Sequence, residues 1–173
     1  MAAPSPLPRR LALDPGAPGA LWLSAMPGRF APWEEFDTAL ARHRIGLVLC
    51  LTGPEEIAAK APAYAAALQA AALRARWQAH AVEDFGVPAD ADRFAAFLGA
   101  GAAALRAGDA VLLHCAAGIG RTGSAALCLL HLLGVPEAAA EARVTAAGSH
   151  PETAAQRAFV DRFRAAHPPA ASP

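Results

Sequence analysis

The sequence predicts an α/β fold: a single domain with a mostly parallel central sheet of four to five strands flanked by helices. Two observations predict it. Short apolar runs alternate with longer segments whose apolar residues recur at helical spacing, and Gly46–Leu51 is apolar throughout. A strand covered by helices on both faces of a parallel sheet reads that way. The 173 residues suffice for one hydrophobic core and leave little room for a second.

Taken in order, Ala20–Ala25 reads as a strand ended by the Pro27-Gly28 turn. Pro32–His43 carries Trp33, Phe36 and Leu40 at helical spacing, and Gly46–Leu51 is the buried strand. Pro54–Leu73 is alanine-rich and helical, with a break expected at Pro62, and Trp77–Val82 is a weaker strand. Asp90–Ala107 is helical, and Gly108-Asp109 turns the chain into the strand Ala110–His114. Three helices follow, Arg121–Leu133, Pro136–Ala147 and Glu152–Ala166. The domain is expected over residues 9–166, between flexible Pro/Ala-rich tails at 1–8 and 167–173. Sites in such sheets form at the carboxyl ends of the strands. That rule gathers Met26–Arg29, Leu51–Glu56, Glu83–Pro88 and Cys115–Arg121 on one face.

Composition narrows the function. The chain is 55% hydrophobic and 17% charged, with 15 basic and 15 acidic residues. This balance argues against a nucleic-acid or anionic-membrane surface, either of which needs a basic excess. No uncharged apolar run is long enough for a bilayer span or resembles a secretory signal. Three cysteines, Cys50, Cys115 and Cys128, are an odd number in a chain that needs no staples, so free thiols and a cytoplasmic location are expected. No obligate partner is evident.

The chemistry is concentrated in Val111–Gly123, where a cysteine ends a strand, five residues follow, and Arg121 opens an apolar helix. This is the design of a cradle for a tetrahedral anion. Gly118 and Gly120 allow successive N–H groups to turn inward, so the backbone of Ala116, Ala117, Gly118, Ile119, Gly120 and Arg121 forms the candidate phosphate-binding loop. The helix start adds unpaired N–H groups and a positive dipole end. Arg121 can hold two phosphate oxygens with its planar fork. The same positive field favours a thiolate at Cys115, a nucleophile that needs neither metal nor cofactor. A strand-end cysteine is more often a small core residue; here His114, the two glycines, Thr122 and the strand-to-helix setting coincide.

An alkoxide or phenoxide leaving group also needs an acid. Asp84, in Glu83-Asp-Phe-Gly-Val-Pro88, is the preferred candidate over Glu83, Asp90 and Asp92, and Asp90 is placed to cap the helix after it.

The Cys115–Thr122 pattern resembles the signature loop of cysteine-dependent protein tyrosine and dual-specificity phosphatases. The order of LWLSAMPGR, GLVLCLTGPEE, AVEDFGVP, the cysteine loop and PETAAQRAFVDRF is similar to that of cyclin-dependent kinase-associated phosphatases and their bacterial relatives. The resemblance covers about Leu21 to Phe163, and only the cysteine loop is highly specific. It implies a dual-specificity-phosphatase-like fold and hydrolysis of phosphate monoesters through phosphocysteine. It also implies a loop-shaping role for His114 and a hydroxyl at Thr122 that assists breakdown of the intermediate, although packing or capping competes for both. Gln156 matches a recurrent glutamine that contacts the site or orients water, with a solvent-facing helical residue as the alternative. Arg29 is either a substrate contact or a surface charge. Cys50 stands where related enzymes carry a second cysteine able to trap the oxidised nucleophile, or is a plain core residue. Cys128 and His131 belong to the packed helix.

Lysines within the loop, frequent in inositol-lipid phosphatases, are absent here, with Ala116 and Ala117 in their places. The expected substrate is therefore a phosphorylated protein or peptide, phosphotyrosine before phosphoserine or phosphothreonine. A small inositol, sugar or nucleotide phosphate, or non-catalytic capture of phosphorylated partners, are the alternatives.

Overall fold

A chain that places leucine or valine at successive strand positions must cover both faces of its sheet, and the computed structural model does this with helices on each side. It describes residue 5 and residues 7–169; the outermost residues of the two expected tails lie outside the described residues. The elements are β1 (Arg9–Leu11), β2 (Ala20–Ser24), α1 (Trp33–Arg42), β3 (Ile45–Cys50), α2 (Pro54–Lys60), α3 (Pro62–Gln69), β4 (Arg76–Ala79), α4 (Ala91–Arg106), β5 (Ala110–His114), α5 (Gly120–Leu132), α6 (Glu137–Ala146) and α7 (Ala154–Ala166).

The sheet order is β1-β2-β5-β3-β4. β2, β5, β3 and β4 run parallel, and β1 closes one edge antiparallel to β2, with Arg9 opposite Leu23. The α/β class and the mostly parallel sheet agree with the expectation. β1 was not anticipated, because three residues are too few to show an alternation. The weaker strand is β4, shorter than expected and exposed along its length as the other edge. Pro62 separates α2 from α3, as a proline without an N–H to donate should.

Alternate residues face alternate layers. Leu21, Leu23, Leu47, Leu49, Val111 and Leu113 enter the larger core with α4, α5, α6 and α7. Val48 and Leu112 face Phe36 and Leu40 of α1, while Cys50 joins Tyr64 and Ile57 under α2 and α3. Helix α5 is buried on nearly every side, which explains its apolar run and the absence of a polar stripe. No helix among the described residues is long and apolar enough to cross a membrane.

Two glycines in helices provide a contrast that can be measured. A Cβ on Gly123 would lie 2.4 Å from the backbone N of His150, whereas one on Gly99 meets nothing within 4 Å. Gly99→Ala should raise urea stability by about 0.5–1 kcal/mol through helix propensity. Gly123→Ala should lower it by about 1–3 kcal/mol through overpacking.

Candidate active site

β5 delivers Cys115 to the carboxyl edge of the sheet, and α5 departs five residues later. Between them Gly118 adopts φ +75°, and a Cβ there would sit 2.5 Å from the backbone of Ser24. Both facts require glycine. The Gly118 N–H donates to Cys115 Sγ at 3.3 Å. The Gly118 carbonyl accepts from Arg9 Nη2 at 2.9 Å and from Ser149 Oγ at 2.7 Å. Ala116 accepts from Met26 N at 3.2 Å, tying the loop to the end of β2. No side chain caps α5, so its first N–H groups and positive dipole end serve the loop.

Arg121, in the first turn of α5, has a side chain only 2% exposed. A buried guanidinium needs partners, and this one has four hydrogen bonds. Nη1 donates to Glu56 Oε2 at 2.8 Å and to the Val82 carbonyl at 2.9 Å. Nη2 donates to Glu56 Oε1 at 3.0 Å and to Asp84 Oδ1 at 2.9 Å. The Arg121 hydrogen bonds hold Glu56 down to about pKa 2, against burial and with help from Lys60. Lys60 Nζ bonds Glu56 at 2.6 Å and lies 3.8 Å from Asp84 Oδ2. Burial opposes the charge on Arg121, and the bonds to Glu56 with the nearby negative groups outweigh it, raising its pKa.

Among the four candidate acids, Asp84 is the one bonded to Arg121. Asp90 caps α4 through Arg93 N at 3.0 Å, and Asp92 bonds His167 Nε2 at 3.1 Å. Glu83 is exposed and makes no ion pair among the described residues. The loop bearing Asp84 is held from α7: Gln156 Nε2 donates to the Gly86 carbonyl at 3.2 Å and Thr153 Oγ1 to the Phe85 carbonyl at 3.4 Å. Gln156 is therefore not the solvent-facing residue of the alternative. It is buried, completes a capping box with Thr153, and has both ends of its amide engaged.

His114 is fully buried. Its Nδ1 lies 3.2 Å from the Cys115 carbonyl and its Nε2 3.1 Å from Tyr64 Oη. Trp77 Nε1 donates to the same hydroxyl at 2.9 Å. A carbonyl only accepts, so Nδ1 carries the hydrogen, Nε2 accepts from Tyr64, and the tyrosine oxygen accepts from Trp77. Burial pushes the His114 pKa down to about 4, and the imidazole is neutral. The Thr122 hydroxyl is buried without a hydrogen-bond partner among the described residues.

Arg29 lays its guanidinium 4.4 Å over the Phe30 ring and makes no hydrogen bond to the loop among the described residues. Cys50 pairs in register with His114 and turns Sγ towards Thr52 Oγ1 at 3.2 Å; burial raises its pKa. Cys128 is buried and its pKa is likewise raised, and His131 is tied to the His167 carbonyl at 2.8 Å. Sequence reading missed Glu56 as the partner of Arg121, along with Lys60, Tyr64, Arg9 and Ser149. Glu56 lay on the expected face, and its spacing to Lys60 was a usable signal; Arg9 gave none.

A sequence model of the tyrosine phosphatase family matches residues 32–166. The chain belongs to that family, and it is a phosphatase of the family's α/β type. No curated protein sequence matches it. Among solved structures, Tk-PTP in the active form superposes with a TM-score of 0.70 at 21% identity, covering 91% of this chain and 97% of that one. Kinase associated phosphatase (KAP), carrying serine in place of its catalytic-site cysteine, gives 0.72 at 20% identity over 86% and 89%. PTPMT1 gives 0.67 at 16% identity over 92% and 94%.

The buried neutral His114 has a consequence for stability. Its pKa is about 4 folded and about 6.5 unfolded, so between those values only the unfolded chain takes up the proton and stability falls with falling pH. Denaturant titrations should show the protein losing stability from about pH 6.5 towards pH 4, by up to roughly 3 kcal/mol from this residue. The curve for His114→Asn should be flatter in that window.

Proposed function

We propose that this protein hydrolyses phosphate monoesters through a phosphocysteine on Cys115, acting on phosphorylated tyrosine in proteins or peptides, with dual specificity as the wider range. The observation that supports the reading is a cysteine loop whose Gly118 N–H bonds Cys115 Sγ and which runs into the uncapped start of α5, where Arg121 holds Asp84.

Substrate oxygens accept from the amides of residues 116–121 and from Arg121. Asp84 now holds a hydrogen bond of Nη2 that an oxyanion can take, so substrate entry frees the carboxyl group. The Cys115 thiolate attacks phosphorus in line, an S–P bond forms, and the P–O bond to the leaving group breaks. Asp84, released from the guanidinium and having taken a proton from the substrate monoanion or from water, passes it to the departing oxygen. Water then attacks the phosphocysteine, Asp84 takes the proton, and the S–P bond breaks with the Thr122 hydroxyl stabilising the released sulfur. Glu56 keeps Arg121 oriented throughout, while the neutral His114 holds the Cys115 carbonyl.

Three features favour an aryl phosphate on a protein over a polyanionic inositol phosphate. Ala116 and Ala117 bring no positive charge to the loop. The Glu152 carboxylate lies against Gly120, where a Cβ would come within 2.2 Å of Oε2; a negative group there repels further phosphates. Phe85, beside Asp84, is 58% exposed and held at φ +57°. Such strain in a bulky residue is sustained where the surroundings or the function demand it, and an open aromatic ring beside the acid suits a phenyl ester.

Hydrolysis of p-nitrophenyl phosphate should proceed in EDTA, be inhibited by vanadate, and be almost abolished in Cys115→Ser. An active Cys115→Ser protein would remove the nucleophile from the scheme. Asp84→Ala should lower kcat about 10²- to 10⁴-fold on phenyl or alkyl phosphates and much less on p-nitrophenyl phosphate; equal losses would place the acid elsewhere. Phe85→Ala should raise KM several-fold for a phosphotyrosine peptide and leave a phosphothreonine peptide little changed. A panel of phosphopeptides and inositol phosphates checks the substrate class directly.

A further inference from the structure

The peptide joining Gly118 to Ile119 is held from behind by residues far away in sequence. All described peptide bonds are trans, and in a planar trans peptide the carbonyl and the following N–H point in opposite directions. The Gly118 carbonyl is drawn outward by Arg9 Nη2 and Ser149 Oγ. The Ile119 N–H is thereby turned away from Arg9 and Ser149.

Arg9 is itself fixed. Its strand residue pairs with Leu23, Nε donates to the Ala147 carbonyl at 2.7 Å, Nη1 to the Ser5 carbonyl at 3.0 Å, and Nη2 also reaches Ser149 Oγ at 3.2 Å. It thus spans the first strand, the C-terminal end of α6 and the loop. The opposite side of Gly118 is closed by the Ser24 backbone. Glycine offers little intrinsic resistance to a peptide rotation, and a reversed Gly118–Ile119 peptide would present a carbonyl oxygen to a bound anion in place of an N–H. The flip would also carry Ile119 from φ −120° to about +60°, which a β-branched side chain resists, and the bonds from Arg9 and Ser149 add to that resistance.

We propose that Arg9 is a positioning residue of the phosphate loop: with Ser149 it holds the Gly118 carbonyl outward and so keeps the Ile119 amide aimed at the substrate's oxygens. The proposal rests on reading residues 115–121 as a phosphate cradle. It makes β1 part of the active-site machinery, although it lies outside the segment matched by the family model, residues 32–166.

The test compares Arg9→Met, Arg9→Lys and Ser149→Ala with the wild type, reading vanadate inhibition, inorganic phosphate affinity, kcat and KM for p-nitrophenyl phosphate, and thermal unfolding without anion. Losing one charge-assisted hydrogen bond to an oxyanion weakens binding about 10- to 100-fold. Arg9→Met should show a loss of that size for vanadate while remaining folded at the assay temperature. Arg9→Lys, which keeps the charge without the fork, should recover thermal stability more than vanadate affinity. Ser149→Ala should shift vanadate affinity less, in the same direction, and combine less than additively with Arg9→Met.

A folded Arg9→Met with wild-type affinity for vanadate and phosphate overturns the proposal. If that variant does not fold, Arg9→Lys and Ser149→Ala decide, and unchanged vanadate affinity in both overturns it. A wild-type protein that neither binds vanadate nor turns over p-nitrophenyl phosphate overturns the phosphatase reading together with this one. Wild-type activity with unaffected variants sinks the positioning role alone.

Discussion

The arrangement of the site depends on the burial of one guanidinium. Arg121 lies at the start of a helix that is covered on nearly every side, and a cation in that position must be matched by acceptors or it destabilises the fold. The matching groups come from α2 (Glu56), from the chain after β4 (the Val82 carbonyl) and from the following loop (Asp84). The need to satisfy one charge therefore holds two separate segments, α2 and the β4–α4 connection, against the start of α5. Glu56 pairs with the fork on both nitrogens, and its strongly depressed pKa shows that the pairing favours the ionised carboxylate.

The sheet and α5 supply the stiffness this requires. β5 lies between β2 and β3, so the strand that carries Cys115 is hydrogen-bonded on both sides. Behind it, α5 packs against α4, α6 and α7. The loop between them has two supports: neutral His114 bonds the Cys115 carbonyl from inside the core, and Arg9 with Ser149 bonds the Gly118 carbonyl from the edge. The α7 start holds the backbone of the Asp84 loop through Gln156 and Thr153, so the cysteine loop is braced largely from the sheet and the Asp84 loop from a helix.

Much of the fold was legible because its signals are local. The continuous apolar run of β3, the helical spacing in α1 and α4, and the break at Pro62 each follow from residues a few positions apart. β1 was illegible for the same reason: a three-residue strand has too little pattern, and its partner is distant in sequence. In the candidate site, Cys115, Gly118, Gly120 and Arg121 lie within seven consecutive residues, since the tight turn from β5 into α5 needs glycine at fixed positions within the loop itself. Gln156 was ambiguous because an amide on a helix looks alike in sequence whether it meets solvent or the Gly86 carbonyl.

The sequence by itself determined the α/β alternation and the cysteine loop, because strand patterning and a glycine-bearing turn act over a few residues. Only the tertiary structure decided that Glu56 would be the partner of Arg121, that Asp84 would share its guanidinium, and that Arg9 would reach Gly118 from the far edge of the sheet. Those choices are made by the compensation of buried polar groups, which acts through space between residues far apart along the chain.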